Sequence, residues 1–266
     1  MIVIRSSAAT NLLEDERAAC AAFAELRDCG CLLLRDFFDR DALTLLRQAA
    51  IGCFQSIQSG NPIPPTYRYN ASSHSSLLNS LLDFGCASES ELFEPISRPH
   101  LERLFTHALG DRWHCRPEHS WVRKKFALSH VPASGYHLQN WHQDGALGVC
   151  FPLERGQPVP IRELVTCWIP LQDCGVDSPG LEFIRRRQPA LLHFTELDDS
   201  ALRGRFDRDE FWAPALKLGD GLLFLNDVLH RTHVRPEMAR DRLSVEYRIF
   251  PREGQIEPEA FEAAPH

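Results

Sequence analysis

Several features are scarce or missing in this 266-residue chain, and each absence narrows the function. No apolar run approaches the ~20 residues needed to cross a bilayer, so a membrane span is not expected. Residues 1–10 lack the basic start and apolar core of a secretion signal. Long basic runs are missing and the formal net charge is −7. Non-specific nucleic-acid binding through a basic surface is therefore disfavoured. The nine cysteines (Cys20, Cys29, Cys31, Cys53, Cys86, Cys115, Cys150, Cys167 and Cys174) are odd in number and scattered, with no C-x-x-C pair. Without a secretion signal, that pattern points to reduced, mostly buried thiols and a cytosolic protein, not to a disulfide framework or a zinc site. Internal repeats and low-complexity tracts are also missing. What is present is a 44% hydrophobic content, enough for a substantial core.

The first part of the chain reads as helix, strand, helix. Ala19, Ala22, Phe23 and Leu26 recur at helical spacing within Glu14 to Asp28, and Gly30 stops the run. Cys31 to Leu34 is a short apolar strand candidate, after which Asp39 caps a helix carrying Leu43, Leu46, Ala50 and Phe54 on one face. From Gly60 to Ser76 the composition turns to Pro, Ser and Asn, which predicts a loop: either a surface excursion or a lid. A helix is expected from Pro99 to Leu109, ended by Gly110. Strand signals dominate after that, over Trp121 to Leu128, Leu164 to Leu171, Leu181 to Ile184, Gly221 to Leu225 and Leu243 to Phe250. These segments lie too close together for crossover helices, which favours an antiparallel sandwich or barrel.

The chemistry-bearing motif is Trp141-His142-Gln143-Asp144. On a strand, residues i and i+2 share a face, so His142 and Asp144 would offer an imidazole and a carboxylate to one ion while Gln143 turns away. A His-x-Asp pair joined by a distant His is the pattern of the facial triad that holds ferrous iron and leaves positions open. The distant His is sought after the turn Gly219-Asp220-Gly221 and the apolar run Leu222 to Leu225. His230 directly follows that apolar segment and is the preferred ligand, with His233 as its rival. A histidine emerging from a buried strand must be either hydrogen-bonded or ligated. Arg242 opens the alternating segment Arg242 to Ile249 on its polar face, where a guanidinium could pair with the far carboxylate of 2-oxoglutarate. Arg240 and Arg248 are weaker candidates for that role.

Taken together, these segments resemble the phytanoyl-CoA dioxygenase family of iron(II)/2-oxoglutarate oxygenases. The resemblance is carried by Trp141 to Asp144, Trp168 to Asp173, Ser178 to Phe183, Gly219 to Phe224, His230 to Thr232 and Arg242 to Ser244, in the family's order. Cys29 to Phe38 is similar to the family's opening strand and turn. The resemblance implies a double-stranded β-helix, a jelly-roll core buttressed by N-terminal helices, with residues 1–266 as one dioxygenase domain. It implies iron on His142, Asp144 and His230, and 2-oxoglutarate on Arg242 and Thr232 with Trp168 nearby. Dioxygen would be the oxidant, and a small molecule would be hydroxylated or desaturated with release of succinate and carbon dioxide. Related halogenases replace the carboxylate with a small residue, so Asp144 argues for oxygenation. Where many members have a Pro-Gly-Ser-His turn, this chain has Arg185-Arg186-Arg187-Gln188, which is either a cationic rim for an anionic substrate or a solvated turn.

Two other readings stand beside this one. A catalytically silent jelly roll would bind a ligand or partner and need neither the triad nor Arg242. A cupin-like enzyme would use its metal without 2-oxoglutarate. Substrate contacts are sought in Tyr67 to His74, Trp113 to Trp121 and Tyr136 to Gln139.

Overall fold

The computed structural model describes residues 3–5, 16–59, 67–131, 140–146, 152, 154–157 and 159–251. The expected contacts in Tyr136 to Gln139 lie outside these residues.

The strands are Val3–Arg5 (β1), Cys31–Arg35 (β2), Arg68–Asn70 (β3), Ser73–Leu77 (β4), Trp113–Cys115 (β5), Trp121–Lys125 (β6), Val165–Pro170 (β7), Gly180–Arg187 (β8), Phe211–Trp212 (β9), Gly221–Leu225 (β10), Val228–His233 (β11) and Arg242–Pro251 (β12). Nine of them form one sheet in the order β1-β2-β10-β7-β12-β6-β4-β3, with β5 pairing β12, while β11-β8-β9 form a smaller sheet. Every pairing is antiparallel except that of β1 with β2. This is the expected jelly-roll arrangement. Phe183 of β8 meets Phe224 of β10 edge-on at 5.2 Å, which brings the two sheets together over a shared core.

Helices cover the large sheet. The helix Arg40–Gln58 starts at Asp39, whose side chain accepts from the backbone N–H groups of Asp41 and Ala42. It buries Leu43, Leu46, Ala50 and Phe54 as its spacing predicts. The helix Pro99–Leu109 has the expected bounds, with Gly110 as its cap. The first helix, Glu16–Cys29, ends at Gly30 (φ 72°), where a Cβ would come within 2.2 Å of Val228 Cγ2.

One expectation about the elements needs correction. The segment predicted as a loop up to Ser76 contains the hairpin β3–β4. Its turn is held by Asn70, whose Oδ1 accepts from the Ser72 N–H and from the Ser72 and Ser73 hydroxyls. Its polar strand is tolerated in the interior because Ser76 and Ser80 hydroxyls bond each other at 2.6 Å. The polar face of β12 is turned inward. The strand lies between β6 and β7, and every residue from Arg242 to Phe250 is buried. Leu243, Val245, Tyr247 and Ile249 join the apolar core, whereas Arg242, Glu246 and Arg248 on the other face line the barrel interior.

Candidate metal centre

His142 and His230 are held opposite each other by the backbone. The N–H of each donates to the carbonyl of the other at 3.0 Å, an isolated antiparallel bridge. Asp144 does not continue a strand, as alternation would require; it opens a 3₁₀ turn, Asp144–Ala146. That turn is fixed by the Gly145 N–H bonding the Asn226 carbonyl at 2.7 Å. Gln143 does turn away from the pair. Its amide donates to the carbonyls of Ala190 and Asp227, and its oxygen accepts from the Leu192 N–H, so the loop before the 3₁₀ turn is tied to two other segments.

One ligand atom from each of His142, Asp144 and His230 lies within 4.8 Å of the others. Asp144 Oδ1 is 3.9 Å from His142 Nε2 and 3.7 Å from His230 Nε2, too far for a hydrogen bond. The protonation of both rings follows from their other nitrogens. His142 Nδ1 is 2.9 Å from the Asn140 carbonyl, and His230 Nδ1 is 3.1 Å from the Val228 carbonyl. A carbonyl only accepts, so each Nδ1 carries the proton and each Nε2 presents a lone pair. Burial, reinforced by the neighbouring His230, pushes His142 down to about 4, which keeps its imidazole neutral. Burial alone would raise Asp144, but Arg248, both histidines and Thr166 outweigh it and hold the carboxyl well below the usual range. One ligand atom from each of the three side chains thus turns toward a common point. This is the donor set of a divalent transition metal, and His-to-carbonyl bonds of this kind orient such ligands.

The same cavity encloses roughly 350 Å³, part of it open to solvent. Arg242 and Thr232 line it; Arg242 lies over the Trp168 ring at 5.1 Å and reaches the Gly180 carbonyl at 3.4 Å. Trp168 is thus brought to Arg242, packed face-on against its guanidinium. Arg240 is elsewhere, exposed and paired with Asp177 at 2.7 Å. His233 is not part of the triad cluster. Arg248 also lines the cavity, 3.8 Å from Asp144 Oδ1 and 2.5 Å from Glu246. Arg185, Arg186 and Arg187 form no unpaired cationic rim. Each meets a carboxylate, of Glu25, Glu210 and Asp227 respectively, at 2.6 to 2.7 Å.

Sequence reasoning missed three residues of this centre. Thr166 donates to Asp144 Oδ2 at 2.6 Å, leaving Oδ1 to face the two imidazoles. Glu246 is shared by Arg123, at 3.0 Å, and Arg248, and both guanidinium groups lower its carboxyl against the effect of burial. A lone hydroxyl in the fully buried strand Val165–Pro170, on the face of Trp168, was the available signal for Thr166.

A jelly roll with two histidines and one carboxylate converging inside it defines the class of mononuclear non-haem metal oxygenases. Residues 26–234 match the model of the phytanoyl-CoA dioxygenase (PhyH) family, and the chain belongs to that family. No curated protein sequence matches it. Among solved structures it is similar to EctD from S. alaskensis with bound Fe, at 18% identity over 94% of this chain and 82% of that one, with a TM-score of 0.65. It is also similar to SnoN, a non-heme alpha ketoglutarate dependent epimerase from nogalamycin biosynthesis (15% identity, 89% and 84% covered, TM-score 0.58). The non-heme monooxygenase ThoJ is a third (12% identity, 87% and 78% covered, TM-score 0.56). Among the described residues no helix is long and apolar enough to cross a membrane.

Proposed function

We propose that this protein is an iron(II)- and 2-oxoglutarate-dependent dioxygenase that hydroxylates or desaturates a C–H bond of a small molecule. One observation carries the reading: His142 Nε2, His230 Nε2 and Asp144 Oδ1 converge while both Nδ1 protons are tied to backbone carbonyls. In this reading the three residues hold iron. Bound iron with 2-oxoglutarate and dioxygen supplies an oxidant for an unactivated C–H bond, and succinate and carbon dioxide leave as co-products. The chain's own groups do the rest. Arg242 gives the distal carboxylate of 2-oxoglutarate a charge-assisted partner, and Thr232 adds a hydroxyl in the same cavity. Ser244, on the face of Arg242, is buried, and its Oγ has no partner among the described residues. Trp168 stiffens Arg242 and, with Phe224 and Leu181, gives the cavity apolar walls. EctD has been solved with 2-oxoglutarate and 5-hydroxyectoine, and SnoN with Fe3+ and alpha ketoglutarate. Both support the same co-substrate here.

The test is succinate formation by purified protein given ferrous iron and 2-oxoglutarate, together with calorimetric titration of the metal and co-substrate. His142→Ala is expected to abolish turnover; normal turnover by that variant overturns the assignment. A silent jelly roll would bind neither ligand. Arg242→Ala is expected to weaken 2-oxoglutarate binding by about 30-fold or more, from a lost buried charge pair of at least ~2 kcal/mol. Unchanged affinity would favour metal chemistry without 2-oxoglutarate.

A further inference from the structure

The geometry points to an anionic substrate whose carboxylate, or equivalent single negative charge, is received by Arg248. The inference rests on the reading of the site given above and extends it to substrate class. The cavity is lined by three guanidinium groups, Arg123, Arg242 and Arg248, against two carboxylates, Asp144 and Glu246. A metal dication and a dianionic co-substrate cancel each other, so the loaded site keeps a surplus positive charge. Arg242 is satisfied by the co-substrate and Asp144 by the metal. That leaves Arg123 and Arg248 sharing the single carboxylate of Glu246.

Arg248 is the better placed of the two. It is 4% exposed, and its Nε has no hydrogen-bond partner among the described residues. An under-satisfied guanidinium this deep is costly unless an anion completes it. Arg248 stands six residues from Arg242 on β12, with Glu246 between them on the same face. Its Nη2 is 3.8 Å from Asp144 Oδ1, which places any anion it holds next to the metal. Arg162 adds positive charge on the same side. It lies over the Phe250 ring at 5.4 Å, and Phe250 follows Arg248 on the same face of β12. The arginines suggested for this role by sequence, Arg185 to Arg187, are already neutralised.

The experiment loads the protein with manganese(II), a paramagnetic and redox-inert substitute, and saturating 2-oxoglutarate. Acetate and acetamide, which differ in charge but little in shape, serve as probes. The NMR relaxation of each probe reports its approach to the metal. Acetate is expected to be relaxed and acetamide to bind about tenfold more weakly or worse, the loss matching one charge-assisted hydrogen bond. Arg248→Gln should remove the acetate effect and Arg248→Lys should recover part of it. Arg248→Lys keeps the charge, so its partial recovery separates loss of the cation from a folding defect and from acetate coordinating manganese(II) directly. Equal relaxation by both probes, no relaxation by acetate, or full retention in Arg248→Gln each overturns the inference. If the titration shows that manganese(II) and 2-oxoglutarate do not bind together, the functional reading itself fails, and that outcome is read separately from the probes.

Discussion

Replacing Thr166 by valine removes one oxygen atom and nothing else of consequence to shape. Thr166 and Asp144 are 0% and 2% exposed, so no water stands ready to replace the 2.6 Å bond to Asp144 Oδ2. The bond fixes which carboxylate oxygen faces the imidazoles. Without it, Asp144 is free to turn toward Arg248, 3.8 Å from the other oxygen. Two routes to the magnitude agree. Loss of an outer-shell partner of a metal ligand costs about 10- to 100-fold in metal affinity, equivalent to about 1.4 to 2.8 kcal/mol. A hydrogen bond to a charged group contributes about 1.5 to 3 kcal/mol. Thr166→Val should therefore raise the manganese(II) Kd by about 10- to 100-fold in calorimetric titration, while Thr166→Ser, which keeps the hydroxyl, should stay close to wild type. Urea unfolding of the metal-free proteins separates this effect from general destabilisation, because serine loses the methyl packing and valine loses the bond. If Thr166→Val binds manganese(II) as tightly as wild type, the claim that Thr166 orients Asp144 is refuted.

Other expectations follow from neighbouring contacts. A Cβ at Gly145 would meet Ile161 Cγ2 at 2.3 Å and the Asn226 carbonyl oxygen at 2.9 Å, the acceptor that holds the Asp144 turn. Gly145→Ala should cost about 1–3 kcal/mol by overpacking and weaken metal binding with it. Wild-type values in both thermal unfolding and metal titration would contradict that role for the turn. His119 is lowered from 6.5 to about 4, chiefly by burial, with His114, Arg116 and Arg162 adding to the effect and Glu118 opposing it. The unfolded chain takes up this proton first, so stability should fall as pH drops from about 6.5 toward 4, by up to about 3 kcal/mol from this group. His119→Gln should flatten the acid limb of a urea-unfolding series, and an unchanged slope would show that His119 is protonated in the fold.

The legible parts of the sequence were those where one residue type has one physical use. Asp39 before an apolar helical face, Gly110 after another, and the clustered apolar strands each read correctly because local chemistry decides them. His142, Asp144 and His230 were found for a reason that turned out to be wrong in detail. Alternation along a strand did not aim the pair; an isolated bridge and a 3₁₀ turn did. The spacing survived because a two-residue step across that bridge still returns both side chains to one side. Thr166, Glu246 and Arg123 were not legible, since their roles depend on register between β6, β12 and β7, which brings Ser244 opposite Arg123 and Arg248 opposite Thr166. The three arginines after Ile184 left a cationic rim and a solvated turn both open, because only the fold supplies their partners Glu25, Glu210 and Asp227.

The interior face of β12 also bears on the choice between an enzyme and a silent barrel. A jelly roll can fill its interior with aliphatic side chains, and replacing buried ion pairs by apolar groups is often neutral or stabilising by about 1–4 kcal/mol. This chain instead buries Arg242, Glu246 and Arg248 in succession along one strand, with Arg123 beside them and Asp144 at the end. Within this group two cations, Arg123 and Arg248, share the carboxylate of Glu246. A barrel selected for stability alone has no use for such a ladder. The arrangement becomes economical once a metal sits against Asp144 and a dianion against Arg242. In the proposed reading those ligands relieve this concentration of buried charge, with Arg242 as the co-substrate anchor and Arg248 as the guanidinium that faces the molecule to be oxidised.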